Sequence, residues 1–184
     1  MRSLIAIITL LAVPSFAQAQ SVAEPKSWTA TPFVGLTFGT SDDLKSSIGL
    51  GGAVGYDITA NLGIEGELSR TFDVASDTSF VDWSITTFSV NAVYHFDVVR
   101  VTPYATFGLG MERSSISVDD DVEVVPAIAL IPSSTEVAYN FGGGIKYKIG
   151  DNMLARADLR RFQANDSAPD HWRLYGGLTF VLRR

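Results

Sequence analysis

The chain has no cysteine, which removes disulfides and thiolate metal sites from consideration. It has only two histidines, His95 and His171, so any histidine-based chemistry must centre on one of two places. It has no basic excess either: 14 Lys and Arg stand against 20 Asp and Glu, a formal net charge of −6. That balance argues against nucleic acid, which is bound through basic patches. No low-complexity tract or long linker is present. Beyond residue 13 the chain also lacks any apolar run approaching the roughly 20 residues of a spanning helix. Charged or strongly polar residues interrupt every later run, most often at alternate positions. A membrane form of this chain would therefore have to be a closed barrel, because only helices and closed barrels satisfy all backbone groups in lipid.

The chain opens with a short basic start, Met1-Arg2-Ser3, followed by the apolar run Leu4 to Val13. Pro14, Ser15 and the small-residue pattern Ala17-Gln18-Ala19 come next. That order predicts a secretory signal peptide over residues 1–19, cleaved after Ala19. Residues 20–184 remain, one domain's worth of chain. The 16 Gly, 11 Phe and 6 Tyr of the whole chain suit strands and turns better than helices.

Period-2 alternation predicts eight strands, at 28–40, 47–57, 62–72, 82–96, 101–114, 135–148, 153–163 and 172–182. The connectors sort into two classes that alternate strictly. Residues 58–61, 97–100 and 149–152 are tight turns, and 41–46, 73–81, 115–134 and 164–171 are longer and mostly polar. An eight-stranded antiparallel up-and-down transmembrane β-barrel with both termini in the periplasm has that pattern. The expected location is the cell outer membrane. The last strand shows the facing rule most clearly. Leu174, Gly176, Leu178, Phe180 and Leu182 share one face, and Arg173, Tyr175, Gly177, Thr179 and Val181 share the other.

Eight glycines, Gly49, Gly51, Gly55, Gly108, Gly110, Gly142, Gly144 and Gly177, fall on the charged face. A soluble surface gains nothing from so many missing side chains, whereas a narrow lumen filled by side chains needs the room. The apolar face is therefore expected to meet lipid and the charged face to line the lumen. Trp28, Trp83, Tyr94, Phe96, Tyr147, Trp172 and Phe180 lie near strand ends, as interfacial aromatic girdles do.

Several segments carry a family likeness. They are Phe33-Val34-Gly35-Leu36, Pro103-Tyr104-Ala105-Thr106-Phe107-Gly108-Leu109-Gly110, Phe141-Gly142-Gly143-Gly144-Ile145-Lys146-Tyr147, Arg156-Ala157-Asp158-Leu159-Arg160 and Gly176-Gly177-Leu178-Thr179-Phe180. On these residues the chain resembles the small outer-membrane β-barrel family of OmpA-like barrels, opacity proteins and OmpW relatives. The resemblance implies a closing strand read by the barrel-assembly machinery, with Gly177, Phe180 and Leu182 as the signal. Arg183-Arg184 extend the chain beyond the aromatic end usual in such barrels.

By parity Glu65, Glu67, Glu112, Lys146, Lys148, Arg156, Asp158 and Arg160 all face the lumen. Confined charges should pair, because unpaired buried charge is costly. They are expected to form either a plug or a gate. Catalysis needs a nucleophile, a base and an orienting acid in contact. His95 is followed by Phe96-Asp97 rather than the His-x-Ser of lipopolysaccharide deacylases of this barrel size. His171, with Asp166, Ser167 and Asp170, reads as a polar loop. Asp119-Asp120-Asp121 and Glu123 lack the spacing of a calcium loop, so neither metal nor cofactor is expected. The sequence thus predicts a non-enzymatic outer-membrane barrel with a structural, envelope-integrity or adhesion-type role. A narrow channel for small or apolar solutes is the alternative, and a lipopolysaccharide-modifying enzyme a third reading. Its expected partners are outer-membrane lipid, lipopolysaccharide and the barrel-assembly machinery, with oligomeric state left open.

Overall fold

The computed structural model of the chain describes residues 25–39, 46–72, 81–96, 101–118, 134–164 and 170–182. The predicted signal peptide, the acidic loop residues Asp119 to Glu123, Asp166, Ser167 and Arg183-Arg184 lie outside them, as does the side chain of Trp83.

Eight strands run in chain order: β1 Ser27–Gly39, β2 Ser47–Asp57, β3 Leu62–Thr71, β4 Val81–His95, β5 Val101–Val118, β6 Ser134–Gly150, β7 Met153–Ala164 and β8 His171–Leu182. Each pairs antiparallel with the next, and β1 pairs antiparallel with β8, closing the barrel. Closure matters physically because it leaves no unpaired strand edge. Six strands match their predicted ranges to within a residue or so at each end. β5 runs further than expected at the long-loop end, to Val118, and β6 further at the short-turn end, to Gly150. Alternation continues through Ser114-Ser115-Ile116-Ser117-Val118, and these residues pair with Val81 to Ile85 of β4. Cross-strand pairing therefore carries strand into what composition marks as loop.

The turns at the opposite end are short and internally bonded. Ile58 and Thr59 donate their backbone N–H groups to the Leu62 carbonyl, and the Thr59 hydroxyl accepts from the N–H groups of Asn61 and Leu62. Asn61 then ties this turn to β4, donating from Nδ2 to the His95 carbonyl and accepting from the His95 N–H. The ladder between β6 and β7 slips between Lys148 and Gly150, just before the Asp151-Asn152 turn.

The two faces of the sheet differ throughout. Val34, Leu50, Val54, Leu68, Val90, Leu109, Val137 and Leu174 are about half exposed on the outside. Most of the buried side chains are polar or charged. This inverts the soluble pattern and follows the predicted facing. Each of the eight predicted lumen glycines is closely covered: a Cβ there would come within 3.0 Å of another strand or side chain. At outward Gly52, Gly66 and Gly176 the nearest such atom is 3.8 Å away or more. The inward glycines are thus required by close approach.

Outward aromatics gather at the short-turn end. Trp28 packs on Tyr56 and Tyr94 on Phe96, with ring centroids 5.0 and 5.1 Å apart. Tyr147 and Phe180 are also outward and exposed. Trp172 lies near the other end, paired with Phe38.

Candidate functional site: the charged lumen

Alternation on β3, β5, β7 and β8 aims Glu65, Glu67, Tyr104, Arg156, Asp158, Arg160, Arg173 and Tyr175 into one bore. Arg156 lies between Tyr104 and Glu65. Its Nη1 is 2.5 Å from Glu65 Oε2, its Nη2 is 3.1 Å from Glu65 Oε1, and its Nε donates to the Tyr104 hydroxyl at 2.7 Å. Two inward positions further along β7, Arg160 donates from Nε to Asp158 Oδ1 at 2.9 Å and from Nη1 to Glu67 Oε2 at 3.0 Å. Its Nη2 reaches Glu65 Oε1 at 3.1 Å, Asp158 Oδ2 at 3.0 Å and the Tyr175 hydroxyl at 2.8 Å. Both tyrosine hydroxyls in turn donate to Asp158 Oδ2. Arg173 continues the chain toward the long-loop end, bonding Glu67 and the Ser69 hydroxyl.

The aromatic rings complete the enclosure. The Arg156 guanidinium lies 4.9 Å from the Tyr104 ring centre and that of Arg173 4.5 Å from Phe162. Phe33 stacks on Tyr175 at 4.3 Å. Arg160 has no solvent exposure at all. In such a poorly solvated bore, charges are tolerable only when paired and fully hydrogen-bonded. The buried described residues include five carboxylates (Asp57, Glu65, Glu67, Glu112, Asp158), four cations (Lys146, Arg156, Arg160, Arg173) and both histidines. Near-balance of sign lets almost every charge find a partner.

Two predicted members sit apart from this cluster. Glu112 accepts from the Thr87 hydroxyl at 3.1 Å and lies 3.6 Å from His171 Nε2, near the long-loop end. Lys146 meets His95 Nε2 at 2.9 Å near the short-turn end. Lys148 is a correction. Although its parity is inward, it is exposed, because it sits where the β6–β7 ladder slips and the bore has already ended.

His171 differs from expectation: it opens β8 rather than lying in a loop, and it stacks on Phe162 with ring centres 5.1 Å apart. His95 closes β4 at the short-turn end and is buried. Asp166 and Ser167 lie outside the described residues, and Asp170 accepts from Arg161 and Gln163 at 2.8 and 2.9 Å. These two hydrogen bonds hold the Asp170 carboxyl below the usual aspartate range. Thr87 donates to Glu112, the carboxylate that lies 3.6 Å from His171 Nε2.

Sequence reasoning missed Tyr104, Tyr175 and Arg173 as network members. All three had the right parity. What identified most of the others was formal charge repeated on one strand's inner face, whereas Tyr104 and Tyr175 carry no formal charge and Arg173 is the only Lys or Arg on the inner face of β8.

A profile of the outer membrane protein beta-barrel domain matches residues 6–180. Among solved structures, the N-terminal barrel domain of Pseudomonas aeruginosa OprF is similar, with 23% identity over 86% of this chain and 98% of that one, and a TM-score of 0.58. Neisserial surface protein A has 17% identity over 85% and 97% of the two chains and a TM-score of 0.63. Ail, the attachment invasion locus protein of Yersinia pestis, has 17% identity over 85% and 100%, with a TM-score of 0.55. At these identities the structures share the fold. A comparison with curated proteins gave no match.

Proposed function

We propose that this chain, which belongs to the outer membrane protein beta-barrel domain family, is a non-enzymatic envelope protein whose bore is plugged by its own side chains. It lies in the outer membrane, with the short turns on the periplasmic side and the long loops outside. The observation that carries the closed-bore reading is the Glu65–Arg156–Asp158–Arg160–Glu67–Arg173 network, which crosses the lumen with its charges bonded to one another. A pathway for ions would need those pairs to part, leaving buried charge uncompensated. The role follows from the outside of the molecule: a rigid barrel that holds its place among outer-membrane lipid and lipopolysaccharide and presents its long loops to the surroundings. Residues 1–19 serve export. Gly177, Phe180 and Leu182 on the closing strand serve recognition by the barrel-assembly machinery.

Single-channel recording in planar bilayers tests the bore. The full folded barrel is expected to pass no current above lipid background. A steady current that changes in Glu67→Ala or Arg156→Ala would establish the channel reading instead. Mass analysis of lipid A from cells with and without the protein is expected to show no difference, and a new lipid A species would reinstate an enzyme.

A further inference from the structure

Among the described residues two prolines lie within strands, Pro32 in β1 and Pro103 in β5. Proline has no backbone N–H to give to a ladder, so sheets tolerate it at edges and strand ends. Pro103 meets that rule, standing one residue beyond His95–Tyr104, the last β4–β5 pair at the short-turn end. Pro32 does not. It lies midway along β1, and a closed barrel offers no edge. The ladder from β1 to β2 runs unbroken past it, with Pro32 opposite Gly52. The ladder from β1 to β8 stops at Ala30–Phe180 and resumes at Phe33–Gly177. The missing donor therefore points at β8, where the register places the Leu178 carbonyl opposite it. Hydrocarbon supplies no water to replace that donor. Among the described residues the other ladders are continuous, apart from the slip at the end of β6–β7.

Side chains cross the seam where the backbone does not. By the same register Thr31 stands opposite Thr179, and their buried hydroxyls are hydrogen-bonded at 2.8 Å on the lumen face. Cross-strand threonine pairs of this kind contribute to sheet stability. The lipid side is braced less well. The residues facing one another there are Ala30 and Phe180, Pro32 and Leu178, and Val34 and Gly176, so each pair has a small residue or a proline on one side. Directly behind the break Phe33 stacks on Tyr175 and, with Ala53, forms a small apolar cluster.

We infer that the barrel wall opens first at this point, with β1 and β8 parting between Ala30–Phe180 and Phe33–Gly177, and that the Thr31–Thr179 hydroxyl pair is the clasp that holds them shut. Such a breach faces the hydrocarbon and not either aqueous phase. It uncovers Phe33 and Tyr175 while the ion pairs of the lumen stay closed. The device belongs to the wall and is independent of whether the bore conducts.

The test is residue-resolved amide hydrogen exchange on the full folded barrel in a neutral detergent. The boiled-versus-unboiled gel shift confirms that each variant is folded. In wild type the seam amides of Leu178 and Phe180 are expected to exchange roughly tenfold faster than those of Val54, Gly66 and Val90, which lie within unbroken ladders. Pro32→Ala supplies the missing N–H and should bring the seam amides into line with the others. Thr31→Val/Thr179→Val removes both hydroxyls together, so neither is left unpaired. It should speed Leu178 and Phe180 about tenfold further and leave Val54 and Val90 unchanged. Seam amides no faster than Val90 in wild type would overturn the breach. So would unchanged seam exchange in Pro32→Ala, whose chief change is one added donor and which decides the matter even if the double variant does not fold. Equal acceleration of every amide in the folded double variant would overturn the clasp. A current through the wild-type barrel would instead remove the plug and leave the seam standing.

Discussion

The outer surface and the lumen of this barrel are built from the same strands, one residue apart, yet they solve opposite problems. Outside, the solvent is hydrocarbon, so side chains need no partner and backbone groups need the closed ladder. Val90 faces lipid and is about half exposed, while its neighbours Ser89 and Asn91 are almost fully buried. Inside, no bulk solvent screens the charges, so each side chain must find a specific partner. Outward positions are consequently interchangeable among apolar residues. Inward positions are specified as a set, down to which of two guanidinium nitrogens meets which carboxylate. A substitution that is mild on one face should be severe on the other.

The most severe break is expected at the centre of the lumen. Arg160→Ala leaves Asp158, Glu67 and Glu65 each short of a bond, and removing one partner of a buried pair costs about 3–5 kcal/mol. Unfolding in lipid vesicles by denaturant, followed by the gel shift, measures it. A loss below 1 kcal/mol would mean that water already enters the bore. On the other face the same residue type is the intruder. Leu109→Arg, between Phe107 and Met111 on β5, should cost about 2–4 kcal/mol if it lies near the bilayer midplane, and the same assay reads it. Neutral behaviour there would place lipid elsewhere.

Glycine gives a finer comparison. A Cβ at Gly144 would stand 2.1 Å from the Ala157 carbonyl oxygen and 2.6 Å from the Tyr104 hydroxyl. Gly144→Ala should therefore displace Tyr104 from Arg156 and cost about 1–3 kcal/mol. Gly52→Ala meets nothing within 3.8 Å and should fall within about 0.5 kcal/mol of wild type. Equal effects in denaturant midpoint would remove the distinction between the faces.

The smallest effect belongs to the half-exposed pair Arg161–Asp170. Exposed ion pairs contribute about 0–1 kcal/mol after screening. Because the folded Asp170 carboxyl is held below its ordinary value, the contribution is present at neutral pH, above the unfolded pKa. It disappears as pH falls through the folded value. Wild type and Asp170→Asn should thus differ slightly in midpoint at pH 7 and converge in acid.

Strand number, facing and connector order were all legible along the chain, because each depends on a period-2 pattern that a residue carries with it. Leu62, Ile64 and Leu68 point outward and Glu65 and Glu67 inward, as alternation requires. The same rule misplaced Lys148, since parity does not say where a bore ends. It also left His171 in a loop, since a histidine with acidic neighbours is no strand former until β1 and β7 pair with it.

By itself, then, the sequence determined a barrel with an apolar exterior and a charged, glycine-spaced interior. Only the tertiary structure decided the partners: Arg156 with Glu65, Arg173 with Glu67, Tyr104 and Tyr175 with Asp158. Such contacts join residues as much as 106 positions apart. They are set by barrel closure and strand stagger, which no local run of residues encodes.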